Sequence, residues 1–133
     1  MKIPSILTAI LTLTIWNCKT LEVNPSVIKE SKELTETPFN YDTVFVSGDT
    51  LHAVVRYSGG CGNHKFNIES IGPMLKSLPP KQPIRIVHRS DGDPCRALLK
   101  EEYKFDIKEY RGTINGTTFL ILENWNKNLS YSY

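Results

Sequence analysis

Thr43-Val-Phe-Val-Ser-Gly-Asp-Thr-Leu-His-Ala-Val-Val-Arg-Tyr57 decides the fold class. Leu51, Ala53, Val55 and Tyr57 fall on one face by the two-residue period of a strand, and β-branched and aromatic residues dominate both halves. Ser47-Gly-Asp49 between them is a turn signal, so the stretch reads as a β-hairpin.

The same pattern continues outward. His64-Lys-Phe-Asn-Ile68 and Ile84-Arg-Ile-Val-His88 alternate, separated by Gly72-Pro73 and a crossover loop, Pro73 to Pro80, in which one turn of helix is expected before the prolines. Leu98 to Ile107 is the next strand, with Leu99, Tyr103, Phe105 and Ile107 on one face. A corner follows over Asp106 to Gly112, then an Asn115-Gly116 turn, a strongly apolar strand from Thr117 to Glu123, and an alternating end, Leu129-Ser-Tyr-Ser-Tyr133, expected to be paired inside a sheet. About seven strands with long crossovers predict an all-β domain over residues 41–133, a Greek-key sandwich of immunoglobulin-like type, with a small β-barrel as the alternative.

Upstream the text has a different logic. Met1-Lys2 is a positive start, and Ile3 to Trp16 is an uncharged run of signal-peptide length, too short to span a bilayer comfortably. The run ends at Ile15-Trp-Asn-Cys18, a cysteine at the boundary where an A-x-A cleavage site is missing. This resembles a bacterial lipoprotein lipobox, with Trp16 and Asn17 departing from its usual small residues. The reading is a signal peptide over residues 1–17, lipidation of Cys18, and a flexible tether over residues 18–40, where mixed charge and two prolines offer little apolar surface to order the chain. Acyl chains contribute about 0.8 kcal/mol per buried CH₂, enough to hold a soluble domain on a membrane. Stretched out at about 3.3 Å per residue, the tether reaches on the order of 70 Å.

Sixteen basic and 14 acidic residues give a formal net charge of +2, well mixed, with no Lys/Arg cluster of the kind that follows phosphates. Nucleic acid is not an expected partner.

With Cys18 assigned to acylation, Cys61 and Cys95 remain, and an even pair in an exported small domain reads first as a disulfide. Cys61 stands in Ser58-Gly-Gly-Cys-Gly-Asn-His-Lys-Phe66, where glycines permit close backbone approach, and Cys95 closes Asp91-Gly-Asp-Pro-Cys95. A sharper alternative adds the inward-facing histidines: Cys61, His64, His88 and Cys95 form a Cys₂His₂ set for Zn or Cu, although the spacing of His88 and Cys95 is not that of a tight ligand pair; the plainer reading is that each histidine is a partly buried core or rim residue whose ring nitrogens bond to backbone carbonyls or to Asp91 or Asp93. A nucleophilic Cys/His pair needs a reduced thiol of low pKa, which an oxidising compartment disfavours. Asp91-Gly-Asp93 starts like a calcium loop but is interrupted by Pro94-Cys95 and reads as a turn. Glu101 and Glu102 sit on opposite faces of a strand and read as solvated. Trp125, Tyr131 and Tyr133 read as a cap on the core. No Ser-His-Asp order, phosphate-binding glycine loop or HExxH is present, so no enzyme, no cofactor and a non-enzymatic binding or structural role are expected.

The glycine-cysteine stretch, the middle segment Leu78 to Ile107 and the aromatic ending together resemble a group of small bacterial envelope lipoproteins of uncharacterised activity, sharing a Gly-Gly-Cys-x-x-His-x-Phe motif and a later Asp-x-Cys element. The resemblance covers residues 57–133. It implies a Cys61 to Cys95 link and a place in the cell envelope, anchored through lipid to a membrane, the outer one, and facing the periplasm or the exterior, with an envelope or extracellular partner that the sequence does not name.

Overall fold

The computed structural model describes residues 32–133. Cys18, the signal peptide and most of the tether lie outside the described residues.

Among the described residues, eight strands form two sheets. The hairpin that opened the reading is β2 (Asn40–Ser47) and β3 (Thr50–Gly59), closed by Ser47 opposite Thr50, and β6 (Ala97–Asp106) pairs with the far edge of β3. The second sheet holds β1 (Thr35–Glu36), β4 (His64–Ser70), β5 (Lys81–Ser90), β7 (Thr117–Leu122) and β8 (Leu129–Ser132). It is built around β5, with β4 along one edge and both β1 and β7 on the other; β8 pairs beyond β7. All pairings are antiparallel except β5 with β7. The sheets do not close into a barrel, and the architecture is that of a β-sandwich.

The core lies between the sheets. Leu51, Ala53, Val55 and Tyr57 of β3 meet Phe66, Ile84, Ile86, Leu120, Leu122 and Tyr131 of the other sheet, so the alternation read in the sequence is the alternation of burial. The terminal strand is inside this core, as its pattern required: Tyr131 is fully buried, and its hydroxyl donates to Asp49 (2.6 Å) while accepting from Arg111 Nε (2.9 Å). Trp125 and Tyr133 pack against the core from its margin.

Three details depart from expectation. There are eight strands rather than seven, because β1, two residues long, is too short to show a period; it falls within the stretch read as tether. No helical turn forms before Pro79; the loop is held instead by a lone bridge between Leu75 and Lys81. The single helical element among the described residues is a 3₁₀ turn at Lys108–Tyr110, at the expected corner, where buried Tyr110 anchors the turn. None of the described helices is long and apolar enough to cross a membrane.

Candidate functional site

The connections β3–β4 (residues 60–63) and β5–β6 (residues 91–96) each pass from one sheet to the other, and they do so side by side. Cys61 and Cys95 join them in a disulfide with Cα atoms 5.7 Å apart. The crossings are therefore bolted together at one end of the sandwich.

Asp93 organises the same end. Its Oδ2 accepts from the backbone N–H of Cys61 and of Gly62 (2.9 Å each), and its Oδ1 accepts from the N–H of Cys95 (2.7 Å). Asp91 does the same for Asn63, through the backbone at 3.1 Å and the side chain at 2.7 Å. The Asp-Gly-Asp turn thus uses its carboxylates to hold the facing loop. The glycines are required by contact: a Cβ on Gly59 would lie 2.5 Å from His64 Nε2, and one on Gly62 would lie 2.5 Å from Asp91 Oδ1.

Both histidines point inward, as alternation predicted, and they meet. Phe66 of β4 sits opposite His88 of β5, which puts His64 on the adjoining diagonal; the imidazoles stack at 5.1 Å between centroids. His64 Nδ1 lies 2.9 Å from His88 Nε2, and His64 Nε2 lies 2.9 Å from Asp93 Oδ2. His88 is almost fully buried, stacked flat on Phe66 at 4.3 Å and flanked by Tyr57 at 4.8 Å.

Electrostatics give the chain of bonds a direction. The Cys61 N–H first, with His64 and the N–H groups of Gly62 and Cys95, holds the Asp93 carboxyl far below the usual carboxylate range, so Asp93 is ionised and can only accept. Burial first, and the neighbouring His64 second, push His88 below the ordinary imidazole value. Because Asp93 can only accept, His64 donates to it from Nε2, and its Nδ1 shares one proton with His88 Nε2. The backbone of Thr37 and Pro38 acts on the His88 ring in the opposite sense to burial, its carbonyls favouring a proton on the ring.

The sign of the resulting acid sensitivity follows. A depressed carboxyl stabilises the fold above its unfolded value, about 3.9, and loses that contribution as pH falls through the native value; a histidine buried neutral behaves likewise below its unfolded value of about 6.5. Stability to urea is therefore expected to fall from about pH 6.5 downward and more steeply below about pH 4. In Asp93→Asn the second stage is expected to become shallower, with the remainder coming from other depressed carboxyls such as Asp49, Glu69, Asp91 and Glu101, and stability at pH 7 is expected to be lower; parallel urea-midpoint curves for the two proteins would contradict the assignment.

The four residues of the metal alternative are not brought together as a ligand set. The two sulfurs are bonded to each other and offer no thiolate, and the groups that lie within 4.8 Å of one another are Cys61, Asp93 and Cys95, without His64 or His88. Glu101 and Glu102 do occupy opposite faces, and each is engaged: Glu101 Oε2 accepts from Tyr57 (2.8 Å) and Tyr103 (2.6 Å), and Glu102 meets His52 Nδ1 at 2.7 Å. Of the two aspartates the sequence offered the histidines, Asp93 is the one bonded to His64, while the bond between the two imidazoles was not anticipated.

No protein-family model, curated protein or solved structure matches this chain.

Proposed function

We propose that the chain is a lipid-anchored module of a bacterial cell envelope, held on a membrane through acylated Cys18, in which a disulfide-stapled β-sandwich acts by binding rather than by catalysis. The observation that carries this reading is the Cys61–Cys95 disulfide, which joins the two crossings with each flanking N–H taken up by Asp93. A structural disulfide built into a small domain fits an oxidising compartment, and the leader and lipobox-like boundary give the chain a route there.

The His64–His88–Asp93 chain supports binding through rigidity. It fixes β4, β5 and the β5–β6 connection relative to one another, and so preorganises the surfaces that β5 presents. Cys18→Ala is expected to move the protein from the membrane fraction to the soluble envelope fraction, followed by immunoblotting of both. A variant that stays with the membrane would overturn the anchoring.

A further inference from the structure

His88 lies too far along the chain from Cys95 to pair with it on one ion, but Asp93, two residues before Cys95, stands where such a ligand is needed. With Asp93 in that place the ligand pairs become Cys61-x-x-His64 and Asp93-x-Cys95, both tight. The Asp93 carboxylate and the two sulfurs lie within 4.8 Å of one another. His64 Nε2 stands outside that group, yet only 2.9 Å from Asp93 Oδ2.

We infer that reduction of the Cys61–Cys95 disulfide turns this end of the sandwich into a Zn²⁺ site, with Cys61, His64, Asp93 and Cys95 as its ligands. The inference goes beyond the binding-module reading and does not depend on the anchor.

Two thiolates, an imidazole and a carboxylate make a mixed, closed donor set that suits tetrahedral Zn²⁺ rather than a hard cation held by oxygen alone. Bond lengths of about 2.0–2.3 Å set neighbouring ligand atoms about 3.3–3.8 Å apart. His64 and Asp93 are already near that spacing, and the sulfurs have to part rather than approach. Cys61 is exposed and stands between Gly60 and Gly62, so its sulfur is the one with room to move. Residue 59 must pass the ligands without a side chain, since a Cβ there would lie 2.5 Å from His64 Nε2 and 2.9 Å from Asp93 Oδ2.

The supporting contacts of a metal ligand are in place as well. Buried His88 holds the His64 ring from Nδ1, which leaves Nε2 to face the ion, and the N–H groups of Cys61, Gly62 and Cys95 fix the carboxylate.

A dithiol reductant supplies the electrons. Its thiolate attacks the exposed Cys61 sulfur, the S–S bond breaks, and Cys95 leaves as a thiolate; the second thiolate of the reductant then closes its own disulfide and frees Cys61. Two cysteine sulfurs are reduced and two reductant sulfurs oxidised. On binding Zn²⁺ the thiol protons go to solvent, and each imidazole stays neutral with one ring proton, that of His64 on Nδ1 toward His88 Nε2 and that of His88 on Nδ1. A newly exported chain, its thiols still reduced, presents the same site before its disulfide forms.

The test uses the full chain in detergent micelles, carrying Cys18→Ala so that Cys61 and Cys95 are the only cysteines. It is reduced with a phosphine, desalted under argon and titrated with Co²⁺ as a coloured stand-in for Zn²⁺. One Co²⁺ per chain is expected, with near-ultraviolet thiolate-to-cobalt absorption and the intense visible bands of four-coordinate cobalt, both abolished by Zn²⁺. The oxidised chain is expected to show neither. His64→Gln and Asp93→Asn are each expected to weaken Co²⁺ binding tenfold or more.

No thiolate-to-cobalt band in the reduced chain overturns the inference, as do the same bands in the oxidised chain, or binding unchanged in both variants, which would leave two thiolates and no built site. Urea denaturation covers a variant that fails to fold once reduced. Zn²⁺ at a hundred times its Kd is expected to make folding of the reduced chain with His64 and Asp93 intact about a hundredfold more favourable than in chelator, and an unchanged midpoint overturns the site.

Discussion

Cys61→Ala/Cys95→Ala is expected to lose about 4 kcal/mol of folding stability at neutral pH, the largest effect of any change at the disulfide end. The bond spans 34 residues, and in the chain-entropy model a loop of that size removes about this much freedom from the unfolded chain. For a domain of about 100 residues the loss corresponds to a fall in Tm of roughly 20 °C. The Asp93 carboxylate remains in the variant and still gathers the N–H groups of residues 61, 62 and 95, so the native arrangement is expected to persist while the unfolded state gains freedom. Urea denaturation of wild type and variant, each with and without a reducing agent, checks this. Reductant is expected to lower the wild type to the level of the variant and to leave the variant unchanged; a variant as stable as oxidised wild type would show that the bond contributes nothing.

Tyr131→Ala is expected to cost about 3–5 kcal/mol, the range for deleting a buried aromatic side chain, and to leave a cavity between the sheets. Tyr131 is fully buried three residues from the chain end, and its hydroxyl joins Asp49 of the β2–β3 turn to Arg111 beyond the 3₁₀ turn. Tyr131→Phe separates the two contributions. It keeps the packing and removes the hydroxyl from between two charged groups, with an expected loss of about 1–2 kcal/mol. Asp49 and Arg111 remain in contact through their own 2.6 Å bond, which bounds the loss. Thermal unfolding of the three proteins decides the matter: equal Tm values for Tyr131→Ala and wild type would mean that the last strand is not part of the core.

The sandwich was legible where burial follows a strict period of two. Leu51 to Tyr57, Leu99 to Ile107 and Leu129 to Tyr133 announce their inner faces because each strand has one wet and one dry side. β1 was not legible, since two exposed residues carry no period, and neither was the parallel partnership of β5 and β7, because pairing partners leave no mark on a strand's own composition. The cysteine pair and the inward histidines could be read from spacing and alternation. That the histidines bond to each other could not, nor which of Asp91 and Asp93 takes His64, for both depend on the register of β4 against β5 and on a loop crossing from the other sheet. The edge of β5 shared by β1 and β7 is further still from the sequence: it exists because two strands stop short of one another, and an end is harder to read than a repeat.

That shared edge of β5 also sets an order of events. Its partners come from opposite ends of the described chain, Thr35–Glu36 before it and residues 117–122 after, the latter held in turn by Leu129–Ser132. A polypeptide delivered from its N-terminus can assemble β2, β3 and β6 early, but most of one side of β5 stays without a mate until residues 117–122 arrive. Maturation of this domain is thus timed by residues 117–132, and a nascent chain stalled before them presents an open strand to whatever else is folding nearby.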